Sequence, residues 1–237
     1  EGSGELQNSP ISVQSPYHLS SKEGLKVYDY NPEKAKQLLK QAGFKYDPAG
    51  QLLDSEGNRV RFSLAGNSGS RIIGDLTGQI KRNLAAIGMQ VDIQIIDFGT
   101  LVERMDNTLD VECFIIGFTG GIEPNLAANL WQPDGSSHFF NTKPKSGQAP
   151  IEGREVADWE ARIGQIFTQA ARETDETKRK ALYAEMQQLT QENVPLIYLI
   201  NALALSAVRN RVQGVDVSPL YYEQTLWNVY NLKVADR

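Results

Sequence analysis

The chain has 237 residues, a net charge of -5 and a pI of about 5.2. This length suffices for one large α/β domain or two small ones, and the acidic balance argues against a non-specific nucleic-acid binder, which is expected to be basic. No run of about 18 apolar residues occurs, so the sequence contains no candidate membrane-spanning helix.

The first residues predict an arm followed by a helix. Residues 1–30 lack helical periodicity, and we expect them to form an irregular arm. Asn31 can cap a helix and Pro32 fits its first position, while Gly43 can end it. Residues 47–58 are rich in turn formers and can hold a short hairpin.

A strand–helix–strand–helix–strand pattern comes next, which is typical of a mainly parallel sheet flanked by helices. Its third strand is almost continuously apolar, as expected for a strand covered on both faces. In chain order the predicted elements are a strand at 60–65, a helix at 71–87, a strand at 91–95, a short helix at 99–106 and a strand at 111–118.

The second half of the chain predicts two longer helices, the second over residues 175–192, and strands at 196–200 and 203–208. We divide the sequence into the arm at 1–30, an α/β ligand-binding lobe at 31–212 and a tail at 213–237 with aromatic patches. These patches contain Tyr221, Tyr222, Trp227 and Tyr230.

A search for catalytic and cofactor motifs favours a protein that is not an enzyme and needs no cofactor. The two histidines, His18 and His138, lack zinc-ligand spacing, and no nucleophile elbow or nucleotide-binding loop occurs. Cys113 lies in an apolar run and fits a small core residue. A hydrolase that uses scattered carboxylates stays open as an alternative.

Two glycine-containing loops follow predicted strands and are candidate ligand contacts. In open α/β sheets, ligands bind at the carboxyl ends of the strands. We expect the glycines at 66–70 only to turn the chain, with Asn67 or Ser68 reaching a ligand as the alternative. At 117–124, glycines let a ligand approach the backbone and Phe118 can stack on it. A plain strand–helix turn is the alternative there.

Several ordered segments together resemble the family 5 extracellular solute-binding proteins, the peptide, dipeptide and nickel binding components of ABC importers. The most specific is the run from Tyr30 to Phe44, YNPEKAKQLLKQAGF, and Asn201 and Gly214 also have counterparts. The other matching segments are 51–57, 80–91, 110–124, 177–183 and 187–198.

The resemblance implies a longer, two-lobed protein with the type II periplasmic-binding-protein fold, of which this chain is the C-terminal lobe with its return segment. The start at Glu1 without a methionine agrees with a piece of a longer chain. Implied partners are a small peptide-like or sugar-like solute, an ABC permease and the missing N-terminal lobe. The implied location is periplasmic or extracytoplasmic, and a membrane anchor at the missing N-terminus is allowed. We expect arm and tail to pair with each other.

The resemblance also implies a ligand site with an unusual composition. Peptide-binding members carry a tryptophan and an aspartate where this chain has Phe118 and Gly121, so the ion pair with a peptide amino terminus is lost. A sugar-like solute that stacks on Phe118 is the alternative. The implied ligand-binding residues are Phe118, Thr119, Gly120, Gly121, Asn67, Leu199 and Asn201.

Three further readings stay open from the sequence. Trp131 and His138 could cap the site, although core or loop positions are commoner for such residues. The aromatic tail could make the chain a protein-interaction module. The intact protein could also serve as a receptor in place of uptake.

Overall fold

The computed structural model describes residues 4–118, 121–202, 205–218 and 226–235. The chain divides into two compact units. We call Tyr28–Thr119 the sheet unit, and Glu1–Val27 together with Gly120–Arg237 the helical unit. The division predicted from the sequence at residues 30 and 212 concerns lobes of a longer protein and stays a prediction.

The described residues contain helices and strands in mixed order. The helices are α1 (Pro32–Gln41), α2 (Arg71–Ala85), α3 (Phe98–Glu103), α4 (Ala128–Trp131), α5 (Asp158–Ala170) and α6 (Glu176–Asn193). The strands are β1 (Gly4–Leu6), β2 (Lys45–Tyr46), β3 (Leu52–Leu53), β4 (Arg61–Asn67), β5 (Gln90–Ile96), β6 (Cys113–Ile115), β7 (Ile200–Ala202), β8 (Val212–Gln213) and β9 (Lys233–Val234).

A parallel sheet with the strand order β5-β4-β6 forms the centre of the sheet unit. Helix α2 connects β4 to β5. This crossover lets the two strands pair in parallel over their whole length. This confirms the predicted mainly parallel sheet. The predicted hairpin is also present, because β2 and β3 pair antiparallel.

The first helix forms as its local sequence predicts. Asn31 Oδ1 accepts a hydrogen bond from the backbone N of Lys34 at 2.9 Å, and Pro32 occupies the first turn of α1. After the helix, Gly43 has φ of 93°, the left-handed conformation in which glycine ends a helix without strain.

The boundaries of β4 and β6 differ from the prediction. β4 continues to Asn67, so Gly66 is a strand residue; a Cβ there would lie 2.7 Å from Ile73 Cγ2, and close packing of α2 requires the glycine. β6 is only three residues long. Just before it, the Glu112 carboxylate accepts the backbone N–H of Ser63 at 2.7 Å, so a side chain takes the place of a strand partner.

Helices α5 and α6 pack together and carry most of the core of the helical unit. Apolar residues at helical spacing form the buried face of α5, whereas the buried face of α6 combines Tyr183 and Met186 with polar residues such as Gln187. None of the described helices combines the length and apolar character that crossing a membrane requires. The buried cluster consists of Ile11, Trp131, Ile163, Ile166, Phe167, Ala170, Tyr183 and Met186.

The arm pairs with a different strand from the one expected. β1 pairs antiparallel with β7, and β9 in the tail pairs with β8, so in the described ranges arm and tail do not pair with each other. The predicted strand at 196–200 is also wrong, since β7 starts at Ile200. Of the predicted strand at 203–208, the first two residues lie outside the described residues and 205–208 are not a strand.

Candidate functional site

The carboxyl edge of the sheet unit brings two of the predicted ligand residues close together. Asn67 is the last residue of β4, and Phe118 follows the end of β6 by three residues. Because β4 and β6 are neighbouring parallel strands, both residues lie at the same sheet edge. Phe118 is 54% exposed.

The amide of Asn67 has a defined orientation. Its Oδ1 accepts a hydrogen bond from the backbone N of Gly69 at 3.0 Å, within the turn that leads into α2. Its Nδ2 has no acceptor partner among the described residues. This geometry leaves a polar donor at the strand end, which is the chemistry that orients a bound solute.

The sequence analysis missed a second aromatic residue at this edge. Phe98 follows the end of β5 by two residues, is 51% exposed and starts α3, whose N-cap Asp97 accepts from Thr100 N at 2.7 Å. With strands about 4.8 Å apart, the outer strands β5 and β6 are separated by about 10 Å with β4 between them. The sequence contains a signal for this residue, because Phe98 comes two residues after the alternating strand, much as Phe118 comes after the apolar strand.

The other residues of the predicted loop are only partly described. Thr119 and Gly120 lie outside the described residues. Gly121 belongs to the helical unit and is exposed; a Cβ at this position would lie 2.8 Å from Leu126 Cδ1. The tip of an exposed leucine can move, so this contact does not by itself require glycine.

Leu199 and Asn201 lie in or beside the two-stranded ribbon of the helical unit. Asn201 is opposite Glu5 in the β1–β7 pair, and the Leu199 carbonyl accepts from Gln7 N at 3.2 Å. Side chains alternate along a strand, so Leu199 and Asn201 share the face opposite Ile200. Both are half-buried.

Trp131 and His138 are core residues of the helical unit, which corrects the reading that they cap a ligand. Each is 1% exposed. His138 Nδ1 lies 2.9 Å from the Leu130 carbonyl oxygen, and its Nε2 lies 3.4 Å from the Glu160 carboxylate. The His138 ring also packs on Phe140, with ring centroids 4.1 Å apart.

Titratable groups near the sheet edge do not form a reactive cluster in the described part of the chain. Burial raises the pKa of the Cys113 thiol, which therefore stays protonated at neutral pH, although the residue is only half-buried and not part of the core as expected. No group of three or more His, Cys, Asp or Glu side chains is placed to hold a metal ion among the described residues.

Comparison with known proteins identifies the family of this chain. The profile of the bacterial extracellular solute-binding proteins, family 5 (middle region), matches residues 1–140. The chain belongs to this family. Its members are extracellular solute-binding proteins, as the family description states.

Family 5 relatives are much longer than this chain. The "Probable ABC transporter-binding protein" of Deinococcus radiodurans is 30% identical over 216 residues, which are 86% of this chain and 35% of that protein. The chain therefore spans about a third of the length of the relatives that it matches.

Solved structures share the fold. The oligopeptide-binding protein AppA of Bacillus subtilis, in complex with a nonapeptide, has a TM-score of 0.73 at 21% identity and covers 99% of this chain and 43% of its own. The periplasmic binding protein MelB of Agrobacterium fabrum, in complex with stachyose, has a TM-score of 0.69 at 18% identity, over 84% of this chain and 29% of its own. The type II periplasmic-binding-protein fold expected from the resemblance is thus confirmed.

Proposed function

We propose that this chain is one lobe of a longer solute-binding protein that captures a small solute without chemistry and delivers it to an ABC permease. The observation that carries the proposal is the family match over residues 1–140. The longer protein acts outside the cytoplasmic membrane, either free or anchored through residues that precede this chain. Lobe closure around the solute is the expected mechanism.

The solute contacts we propose are those expected from the sequence, with one addition. Phe118 and Asn67 at the sheet edge support a site that combines an aromatic face with an amide donor. Phe98 extends this site at the neighbouring strand. Thr119, Gly120, Gly121, Leu199 and Asn201 are kept as further proposed contacts, because the resemblance implies them.

The solute class we favour is a sugar-like or otherwise neutral amphiphile. A peptide with a free amino terminus gains from a carboxylate that neutralises its charge, and the resemblance places Gly121 where peptide-binding members hold that carboxylate. Exposed aromatic rings suit the apolar faces of sugar rings. The stachyose bound by MelB and the nonapeptide bound by AppA show that one fold accommodates both classes.

The missing lobe is the partner we propose for the apolar surface of the tail. Val229 is 60% exposed and Tyr230 77% exposed, next to the half-exposed Leu226. A contiguous apolar patch on a soluble protein commonly marks an interface. We therefore propose that the tail contacts the other lobe of the longer protein. This contact accounts for the exposed apolar residues without a separate protein partner.

A thermal-shift panel on the longer protein tests the proposal. Oligopeptides, oligosaccharides such as stachyose, and nickel complexes are compared, because a solute that binds only the folded state stabilises it by about 2.7 kcal/mol at about 100 times its Kd. We expect an oligosaccharide to raise the unfolding temperature. A panel in which no compound shifts the transition would count against solute binding by these classes.

Two variants assign the site once a compound is found. Phe118→Ala should weaken its binding about tenfold, which corresponds to about 1.4 kcal/mol of lost stacking and burial. Leu38→Ala is the matched control, because Leu38 on α1 has the same 54% exposure in the same unit. Equal affinities of the two variants would remove Phe118 from the site. Gly121→Asp should shift preference toward peptides with a free amino terminus.

A further inference from the structure

Arg179 on α6 lies at the centre of a hydrogen-bonded cluster in the helical unit. Its Nη2 donates to Glu123 Oε1 at 2.7 Å, its Nη1 to Tyr17 Oη at 2.8 Å, and its Nε to the Ala170 carbonyl at 3.0 Å. Arg179 thereby joins the arm, the end of α5 and the segment that follows the candidate ligand loop. We call Arg179, Glu123, Tyr17 and Tyr183 the arginine cluster.

Aromatic rings enclose the guanidinium of Arg179. Its central carbon lies 5.1 Å from the ring centroid of Tyr17 and 5.8 Å from that of Tyr183. The side chain of Arg179 is 22% exposed, so solvent screens its ion pair less than it screens pairs on an open surface. The planar guanidinium suits this arrangement, since it stacks on rings while its edge donates hydrogen bonds.

The carboxylate of Glu123 is held from several directions. Besides Arg179, its Oε1 accepts from the Tyr183 hydroxyl at 3.3 Å and from Asn125 N at 3.1 Å. Burial raises the pKa of Tyr183 to about 12, and the neighbouring Glu123 charge acts in the same direction. The phenol therefore remains a hydrogen-bond donor throughout the neutral range.

The residue before Glu123 is also fixed, through the arm. Ser15 Oγ donates to the Ile122 carbonyl at 2.6 Å, and the Ser15 side chain is in turn bonded by Tyr17 N at 3.3 Å. Both residues that follow Gly121 are thus tied to the arm or to α6. Gly121 is the last of the candidate ligand residues at 118–121.

We propose that Arg179 is a positioning residue, which orders Gly121, Ile122 and Glu123 by holding Glu123 against the arm and α6. This inference rests on the proposed function for its binding consequence. Fixing the backbone of a residue costs conformational entropy, and a segment that is ordered before binding does not lose that entropy when the solute arrives. Loss of the cluster should therefore weaken solute binding without removing a solute contact.

A second arginine on the same pair of helices provides a matched control. Arg162 on α5 donates two hydrogen bonds to the Glu185 carboxylate on α6, both of 2.6 Å. That pair joins only α5 and α6, which already pack together through the core. Its side chains are 33% and 40% exposed, compared with 22% and 38% for Arg179 and Glu123.

Amide hydrogen exchange of the longer protein decides the inference without a solute. In Arg179→Gln, exchange at Asn125 and Leu126, whose N–H groups donate to Glu123, should be about tenfold faster than in the wild type, since the local opening free energy falls by about 1.4 kcal/mol. In Arg162→Gln the same amides should exchange at the wild-type rate. Equal exchange in the two variants would overturn the inference.

Milder variants cover the case in which Arg179→Gln does not fold. Tyr17→Phe removes one hydrogen bond and keeps the ring, and Arg179→Lys keeps the charge but not the planar donors. Both should raise exchange at Asn125 and Leu126 by less than Arg179→Gln and leave the centre of α5 protected. Wild-type exchange at these amides in both variants would also overturn the inference.

Titration calorimetry with trialanine and with stachyose separates this inference from the proposed function. If the wild type binds one of these probes, Arg179→Gln should weaken that probe about tenfold and Arg179→Lys should restore part of the affinity. Unchanged affinity in Arg179→Gln would refute the positioning role. If the wild type binds neither probe, the solute classes of the proposed function fail, while the exchange result still decides the role of Arg179.

Discussion

Replacing Gln187 by methionine should strongly destabilise the helical unit, because this amide uses its full hydrogen-bonding capacity. Gln187 on α6 is 0% exposed. Its Oε1 accepts from the Ser9 hydroxyl at 2.6 Å and from Leu19 N at 2.9 Å. Its Nε2 donates to the carbonyls of Tyr17 and Tyr183, both at 2.9 Å.

The magnitude follows from the groups that methionine leaves without a partner. The Ser9 hydroxyl still accepts from Ile11 N, and the Tyr183 carbonyl lies within α6 and keeps its helical environment. Leu19 N and the Tyr17 carbonyl lose the partner that Gln187 provides. A buried group left unsatisfied costs about 1–3 kcal/mol, and both of these groups are only partly buried. The total cost is therefore about 2–4 kcal/mol, a large part of the about 5–15 kcal/mol that stabilises a typical domain.

Urea unfolding followed by tryptophan fluorescence measures this cost, since Trp131 and Trp159 report on the helical unit. Methionine has nearly the length and helix propensity of glutamine, so packing and helix formation change little. Gln188→Met, at the exposed neighbouring position of α6, is the control and should leave the midpoint almost unchanged. A similar midpoint for both variants would refute the argument from hydrogen-bond satisfaction.

Three other changes test separate features. The hydrogen bonds from Arg162 lower the pKa of Glu185. The ionised carboxylate therefore stabilises the fold above its unfolded pKa, and this stability is lost as the pH falls. Glu185→Gln should flatten the fall of the unfolding midpoint between pH ~5 and ~3. Gly66→Ala should cost about 1–3 kcal/mol of unfolding free energy, because its Cβ would lie 2.7 Å from Ile73 Cγ2. Val194→Gly should add about 1 kcal/mol, since this exposed valine ends α6 at φ 49°.

Denaturant and pH titrations of these variants need two controls. Gly78→Ala, in the interior of α2, meets only the Arg82 side chain at 3.6 Å and should stabilise by up to about 1 kcal/mol. Val13→Gly removes an equally exposed valine and should stabilise nothing. Identical pH slopes for wild type and Glu185→Gln, or a loss of stability in Val194→Gly, would contradict the reasoning.

The sequence predicts the regular helices and the parallel sheet well because their signals are local. The cap at Asn31 and the left-handed Gly43 place both ends of α1, and the apolar stripe of α2 lies between two strand patterns. Strand ends are predicted less well. The apolar run at 111–118 does not reveal that the strand is only Cys113–Ile115, because the Glu112 contact with Ser63 joins residues 49 positions apart in the chain.

The structure of the arm could not be predicted from local patterns. Residues 1–30 show no periodicity, yet Ser9 is 0% and Ile11 4% exposed. Ser9 donates to Gln187, which lies 178 residues away, and Ile11 packs in the buried cluster with residues of α5 and α6. A buried glutamine in an amphipathic helix is the one signal that could have pointed to a polar segment packed against α6.

The candidate site shows the same division between local and distant determinants. The neighbouring parallel strands β5, β4 and β6 end at a common edge, at or just before Phe98, Asn67 and Phe118. Strand order alone would therefore have included Phe98. Glu123 differs, because its role depends on a cation 56 residues later in the chain. An acidic residue before a proline predicts only a helix cap, which Glu123 also is, since it accepts from Asn125 N. The exchange rates in Arg179→Gln therefore test a function of Glu123 that its local sequence does not carry. A cap that has lost its arginine should open more often, which exposes the amides of Asn125 and Leu126 to exchange.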